Sequence, residues 1–283
     1  MEIFGATASA IGVAALFSNC VECFEYIQLG RQFGKNFERC QIKLDVARTR
    51  LGRWGQAVGI ESDPRFTADM MGDKVSQQVH AVLEEIMLLF QAVQKSSKRY
   101  ELKTPNEDLV CFTNADMRPE FRKVHGQLKA IAHQRQRQTG FAKKARWALY
   151  DGKNLDKLVR EIADFVDALE QLVPPVEAVQ RQLSAIELEE IDDESTLLAI
   201  RDAAVDTDSI LSETADQKIV NILARNHVKR VRGDEDGKVW VGNEWNTDFI
   251  NGFGERTENT VDSIAAKGKS AVHVGNKYNG RAL

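Results

Sequence analysis

Cysteine is scarce: four residues (Cys20, Cys23, Cys40 and Cys111) in 283 positions are too few for a disulfide scaffold. Reduced thiols and an intracellular setting fit that number better. The five prolines all lie before residue 176, which excludes a Pro-rich scaffold. Charge of neither sign dominates. A formal net charge of −4 argues against a wholesale nucleic-acid coat and against a cationic membrane-lytic peptide. There is no P-loop and no dinucleotide fingerprint. His80, His125 and His133 stand in separate or polar contexts with no nucleophile motif beside them. Cys20 and Cys23 form a lone C-x-x-C without a second pair, which reads as small packing residues on a helix. No enzyme activity, metal or cofactor is implied.

Apolar residues make up 43% and charged residues 28%, ordinary for a soluble protein with a real core. One uncharged run stands out, from Ile3 to Val21, bracketed by Glu2 and Glu22. An acid precedes it, where a secretory signal would carry positive charge. As a helix it would span roughly 28 Å, close to the ~30 Å hydrocarbon thickness. It is rich in Ala, Gly, Ser and Thr, so its hydrophobicity is modest. Two readings stand: a buried or partner-facing helix, or a conditional membrane segment carried by Phe4, Ile11, Val13, Leu16 and Phe17. No second run of this length exists, so a resident multi-span protein is not expected.

Residues 1–225 read as one mainly α domain, a bundle of six to nine helices. Apolar stripes at helical spacing pass through Phe37, Leu44, Leu51 and Trp54, through Val75, Val79, Val82, Ile86 and Val93, through Phe121, Val124 and Leu128, and through Leu155, Leu158, Ile162 and Leu169. Gly30, Gly59, Gly152 and Pro174–Pro175 punctuate them. Between Tyr100 and Phe112, two short runs around Pro105–Asn106 predict a small β-hairpin. Residues 121–150 hold eight Lys or Arg and no acid, and residues 187–194 hold six acids. Two readings stand: a pair of solvated, complementary faces, or a basic stretch that meets anionic lipid or nucleic acid. Net charge and the lack of interleaved aromatics weigh against nucleic acid.

Residues 226–283 are different material, with eight of the 19 glycines and seven asparagines but no proline or cysteine. Composition alone predicts a tail that is flexible as a monomer. Yet segment 226–245 aligns on segment 259–278 at an offset of 33. Asn226 falls on Asn259, Val228 on Val261, Val231 on Ile264, Val239 on Val272 and Val241 on Val274. Gly242–Asn243 falls on Gly275–Asn276. Charges oppose at four aligned pairs: Lys229 with Asp262, Asp234 with Lys267, Asp236 with Lys269, and Glu244 with Lys277. Strands stacked in register about 4.8 Å apart account for that pattern, with a valine core, asparagine ladders and Gly–Asn corners. Two stacked rungs leave open edges that recruit further copies. The tail is therefore a candidate β-solenoid amyloid former.

The sequence as a whole resembles the fungal HET-s/HET-S heterokaryon-incompatibility family. The resemblance rests on NCVECFEYIQLGRQFGKNFERCQIKLDVARTRLGRWG (from Asn19), DPRF (from Asp63), VLEEIMLLF (from Val82), SKRYEL, KKARWALYDGK, EIADFVDALE and the paired V-x-V-G-N motifs. It implies a helical HeLo domain joined to a prion-forming domain that converts to an amyloid with two rungs per molecule. Implied partners are the protein itself (as polymer, and as a HeLo homodimer when soluble), homologous prion proteins and an NLR-type receptor carrying a matching motif. In toxic members, conversion disrupts the HeLo fold, and the N-terminal helix inserts among membrane lipids and forms a pore. The protein would be cytoplasmic when soluble and at the plasma membrane once activated, with no nucleic-acid partner. Glu22 and Glu85 resemble positions implicated in toxicity. Gln32 falls where toxic and non-toxic alleles differ and matches neither, so a non-toxic prion allele acting on a toxic partner is the alternative.

Overall fold

A computed structural model describes residues 12–67, 73–135, 146–223, 225–245, 258–278 and 281–282. The chain divides into two compact units, Met1–Ala215 and Asp216–Leu283.

The first unit is helical. Its elements run α1 (Val13–Cys23), β1 (Ile27–Leu29), α2 (Phe37–Ala57), α3 (Pro64–Thr67), α4 (Lys74–Glu101), α5 (Pro119–Arg135), β2 (Trp147–Leu149), α6 (Gly152–Leu172), α7 (Glu177–Leu188) and α8 (Glu194–Ala204). A last helix, α9 (Ser209–Leu223), begins in this unit and runs across the division. Several helices start at an aspartate whose side chain accepts from an otherwise orphaned backbone N–H. Asp73 takes Ser76, Asp151 takes Lys153, Asp193 takes Thr196 and Asp208 takes Leu211, at 2.8–3.1 Å. Each such cap stabilises its helix by about 0.5–2 kcal/mol. Helix α2 is the centre of the bundle and packs on α5, α6, α7 and α8, while α4 packs on α1 and α6. Leu44, Leu51, Trp54, Val79, Ile86, Phe90, Leu155, Leu158 and Ile162 from these helices form the buried core.

The expected hairpin between Tyr100 and Phe112 is not formed. Tyr100 and Glu101 are the last residues of α4, and Tyr100 stacks on Tyr150 with ring centroids 5.1 Å apart. Residues after the turn instead meet the chain near residue 30. Arg31 N–H donates to the Val110 carbonyl at 2.8 Å, and Phe112 N–H donates to Leu29 at 2.7 Å. The strand pairing that does form is parallel, β1 with β2, aligning Ile27, Gln28 and Leu29 with Trp147, Ala148 and Leu149.

The basic and acidic segments meet. Lys123 Nζ donates to the Glu190 carbonyl at 2.9 Å, and Arg135 reaches Glu187 at 2.7 Å. Glu187 is fully buried and shares its carboxylate with Arg53, 3.1 Å away. Arg53 is 2% exposed and also grips both carboxylate oxygens of Asp208, the residue that caps α9. Burial pushes the Glu187 carboxyl up against the pull of these two guanidiniums. A buried pair is costly to break, because the abandoned partner stays behind as a lone charge. We predict that Asp208→Ala destabilises the helical unit by about 3–5 kcal/mol. Removing the exposed Arg50 partner with Asp167→Ala costs under about 1 kcal/mol. Thermal unfolding of the two variants side by side checks the contrast.

Candidate functional site

The second unit is built as two stacked rungs. The first comprises β3 (Arg225–Val228), β4 (Val231–Gly233), β5 (Lys238–Val241) and β6 (Glu244–Trp245). The second comprises β7 (Glu258–Val261), β8 (Ile264–Ala266), β9 (Ala271–Val274) and β10 (Lys277–Tyr278), and β10 also pairs antiparallel with β11 (Arg281–Ala282). Every rung-to-rung pairing is parallel, and each residue of the first rung lies against the residue 33 positions later. Val228 thus faces Val261, Val231 faces Ile264, Val239 faces Val272 and Val241 faces Val274. Backbone bonds hold this register outside the strands as well, as from Lys267 N–H to Gly233 at 2.9 Å and from Lys269 N–H to Glu235 at 2.7 Å. Composition predicts a flexible monomeric tail; the structure has it in paired strands. The partner of each rung comes from the same chain, so the backbone groups of one rung's inner edge are satisfied within the molecule.

Four asparagines form a closed set. Asn226 Nδ2 donates to Asn243 Oδ1 in its own rung at 2.8 Å and to Asn259 Oδ1 in the other rung at 2.9 Å. Asn259 Nδ2 donates to Asn276 Oδ1 at 3.0 Å, and Asn276 Oδ1 also accepts from the Asn243 backbone at 3.1 Å. The ladder therefore also ties the start of each rung to its Gly–Asn corner. At that corner the backbones approach so closely that a Cβ on Gly242 would lie 1.9 Å from the Gly275 carbonyl oxygen. Glycine is the one residue that fits there.

The opposed charges behave differently from the pattern of their signs. The register sets Glu244 beside Lys277. Yet among the described residues none of the four aligned pairs closes to an ion pair. The Asp262 carboxylate takes His227 Nε2 at 2.8 Å instead of Lys229. Lys277 Nζ lies 4.0 Å over the ring of Trp240, which itself stacks on His273 with centroids 3.9 Å apart. These side chains are solvent-exposed or partly so, where an ion pair is worth little and a flat indole face competes for the lysine. The offset of 33 aligns these two planar rings as well, a match of unlike residue types that identity and charge do not reveal. Burial is uneven between the rungs. Val231 and Val241 are buried, whereas Ile264 is 52% and Val274 37% exposed.

At the other end of the chain, Phe4 and Ile11 lie outside the described residues. Val13, Leu16 and Phe17 are buried on α1, which packs against α4 and α2. No described helix is long and apolar enough to cross a membrane. Cys20 donates to the Leu83 carbonyl at 3.3 Å and Cys23 lies 3.7 Å from the Met87 sulfur, so both serve packing between α1 and α4. The Phe17 ring sits over Gly55, where a Cβ would fall 2.2 Å from it, and meets Trp54 at 6.1 Å. Glu22, at the end of α1, accepts from the Tyr26 hydroxyl at 2.5 Å, and burial together with that carboxylate pushes the Tyr26 phenol up. Glu85 is exposed on α4. Gln32 is exposed, and its Nε2 donates to the Asp108 carbonyl at 2.6 Å. The structure places the three apart, Glu22 at the end of α1, Gln32 in the segment after β1 and Glu85 on α4. Among the described residues there is no group of His, Cys, Asp or Glu that could hold a metal ion.

The Phe17–Gly55 contact sets a test of how α1 is held. Gly55→Ala forces the ring to move, and we expect about 1–3 kcal/mol of destabilisation with faster hydrogen exchange in α1. Unchanged exchange there would show that the contact does not anchor the helix.

Comparison with known proteins covers both units. The HeLo family profile, described as prion-inhibition and propagation, matches residues 5–200, and the Het-s 218-289 profile matches residues 218–279. The chain is 47% identical to heterokaryon incompatibility protein s of Podospora anserina over 285 aligned positions, covering 100% of this chain and 98% of the relative. Heterokaryon incompatibility protein S of the same fungus matches to the same extent. Among solved structures, the HET-s N-terminal domain superposes with a TM-score of 0.73 at 51% identity, over 76% of this chain and 100% of that domain. A doubly substituted form of it gives 0.71 at 52% identity, over 74% of this chain and 98% of that one. With both profiles matched in order and nearly half of all positions identical from end to end, the chain belongs to the fungal HET-s/HET-S heterokaryon-incompatibility family.

Proposed function

We propose that this chain is a prion-type signalling protein of fungal heterokaryon incompatibility, in which an amyloid fold of the C-terminal segment is the signal and the helical unit is the responder. The observation that carries this reading is the register of 33 residues. It makes two rungs of unlike sequence that fit one another and leaves an edge on the second, where β7, β8 and β9 have no further strand partner among the described residues, while β10 is covered by β11. Such an edge templates strand addition. The first rung of a further copy presents the sequence that the second rung already accepts, so the stack continues with alternating rungs.

The prion-forming part begins near residue 226 in this proposal, and α9 leads directly into it. Growth of the polymer would draw on α9, whose cap Asp208 is held by Arg53. Loss of that cap strands a buried guanidinium and loosens the bundle around α2. Helix α1 is then released with its apolar face uncovered, and its lipid-seeking surface inserts and permeabilises the plasma membrane. No step in this sequence is catalytic. The partners are copies of the chain, related prion-forming segments and an upstream receptor of the NLR type with a matching motif. In the resting state the helical unit is cytoplasmic and pairs with a second copy.

A second reading has its own support. The uncharged run from Ile3 to Val21 is only modestly hydrophobic, and by the family resemblance Gln32 falls where toxic and non-toxic alleles differ and matches neither. In that reading the chain propagates the fold without killing, and acts on a toxic partner.

The test adds pre-formed fibrils of the same protein to soluble full-length protein beside dye-loaded liposomes. Sedimentation together with dye release supports the pore-forming executor, sedimentation alone supports the non-toxic template, and protein that stays soluble without dye release sinks the templating mechanism. Two glycine variants separate the steps. Gly242→Ala blocks pairing of the two rungs within one chain. Gly275→Ala puts no atom against the first rung, since the nearest neighbour of its Cβ is His273 of its own rung at 3.2 Å, and its cost within one chain is local strain at a φ of +150° rather than a clash between rungs. It would collide with the next copy stacked above. We expect Gly275→Ala to keep exchange protection in residues 226–278 and to stop elongation from seeds.

A further inference from the structure

A cavity of about 190 Å³ lies in the helical unit, remote in sequence from the polymerising segment and lined in part by the residues that directly follow α1. It is walled by α2, α5, β1 and the segment around residue 113. That volume is well below the ~300–1,000 Å³ typical of pockets for drug-sized ligands. Phe24, Phe37 and Phe112 supply an aromatic wall, with Phe37 and Phe112 stacked at 4.1 Å. The rest is charged.

Arg48 lies on the wall and is 5% exposed. One of its terminal nitrogens bonds Glu25, while its buried Nε has no hydrogen-bond partner among the described residues. Glu25 is already shared, since the same oxygen also meets His133 Nε2 at 2.8 Å. Asp45 is likewise engaged, by His125 Nδ1 at 2.8 Å and by Gln41 at 3.2 Å. Burial alone would lower the His125 pKa, but the Asp45 hydrogen bond and charge win, and it is raised. Lys129 and Arg146 complete the lining and form no ion pair among the described residues. Glu25 is thus taken by Arg48 and His133, and Asp45 by His125 and Gln41, which leaves Lys129 and Arg146 on the lining with no carboxylate of their own among the described residues. A buried arginine with an idle donor is an expensive feature unless something else accepts from it. Arginine is well suited to phosphate through charge-assisted hydrogen bonds.

The geometry points to a binding site in this cavity for a small phosphate monoester, held by Arg48, Lys129 and Arg146. The ester comes either as a free metabolite or as the headgroup of a membrane lipid. The basic stretch of residues 121–150 thereby gains a specific use: His125, Lys129 and Arg146 all belong to it. The site stands apart from the templating proposal, and either can fail alone.

Calorimetric titration of the full-length protein with glycerol 3-phosphate at fixed ionic strength tests the free form. Co-sedimentation with phosphatidylcholine vesicles, with and without phosphatidic acid, tests the headgroup. One site per chain is expected in at least one arm. Lys129→Gln and Arg146→Gln should each weaken it about tenfold. Arg48→Lys keeps the charge beside Glu25 but removes the idle donor, and should abolish binding without unfolding the protein. Lys157→Gln, at an exposed position on α6, controls for bulk charge and should change nothing. Seeded sedimentation of Lys129→Gln should match the unsubstituted protein. Variant-sensitive binding to the soluble ester assigns the site to a free ligand, and variant-sensitive binding to phosphatidic acid vesicles alone assigns it to a headgroup. Binding in neither arm overturns the proposal, as does binding that Lys157→Gln weakens as much as Lys129→Gln.

Discussion

Backbone donors and acceptors along a strand call for partners, and in the C-terminal unit those on the facing edges of the two rungs are met by one another, 33 residues apart along the same chain. That single constraint fixes the rest of the unit. It places valine against valine or isoleucine, brings four asparagines into one hydrogen-bonded set and requires glycine where Gly242 approaches Gly275. Side-chain charge is secondary here. Asp262 and Lys277 find His227 and Trp240 rather than the opposite charges aligned with them, without disturbing the register.

The helical unit is governed by a different demand, the burial of an apolar first helix. Phe17 over Gly55 and beside Trp54 seats α1 against α2, and Cys20 and Cys23 seat it against α4. Each fully buried large apolar side chain contributes about 1.5–3 kcal/mol. The proposed release of α1 would uncover these same apolar residues. The network of Arg53, Glu187, Arg135 and Asp208 sits on the opposite side of this balance, because it is stable only while all its members stay in place.

Much of this was legible in the sequence, and the reasons differ by element. Helices α2, α4, α5 and α6 are long enough for a period of 3.6 to show, and the rung register shows because a repeat reports it directly. The pairing of β1 with β2 does not show, since each strand is three residues and their partners lie 120 positions apart. The hairpin expected after Tyr100 fails because a tyrosine that looked like strand material ends a 28-residue helix and stacks on Tyr150. Glu187 reads as one of six acids on a solvated run, yet it is fully buried, because Arg53 and Arg135 arrive from helices far away in the chain. The idle donor of Arg48 is invisible without coordinates, because a buried arginine is recognised by what surrounds it.

The two rungs are unlike: Trp240 stacks on His273, and a buried Val231 lies beneath a half-open Ile264. A filament assembled from such pairs is polar. One tip always presents a first rung and the other always a second, so the two tips differ in exposed apolar surface and must capture incoming monomers at different rates. Elongation in one favoured direction is thus written into the inequality of the two halves.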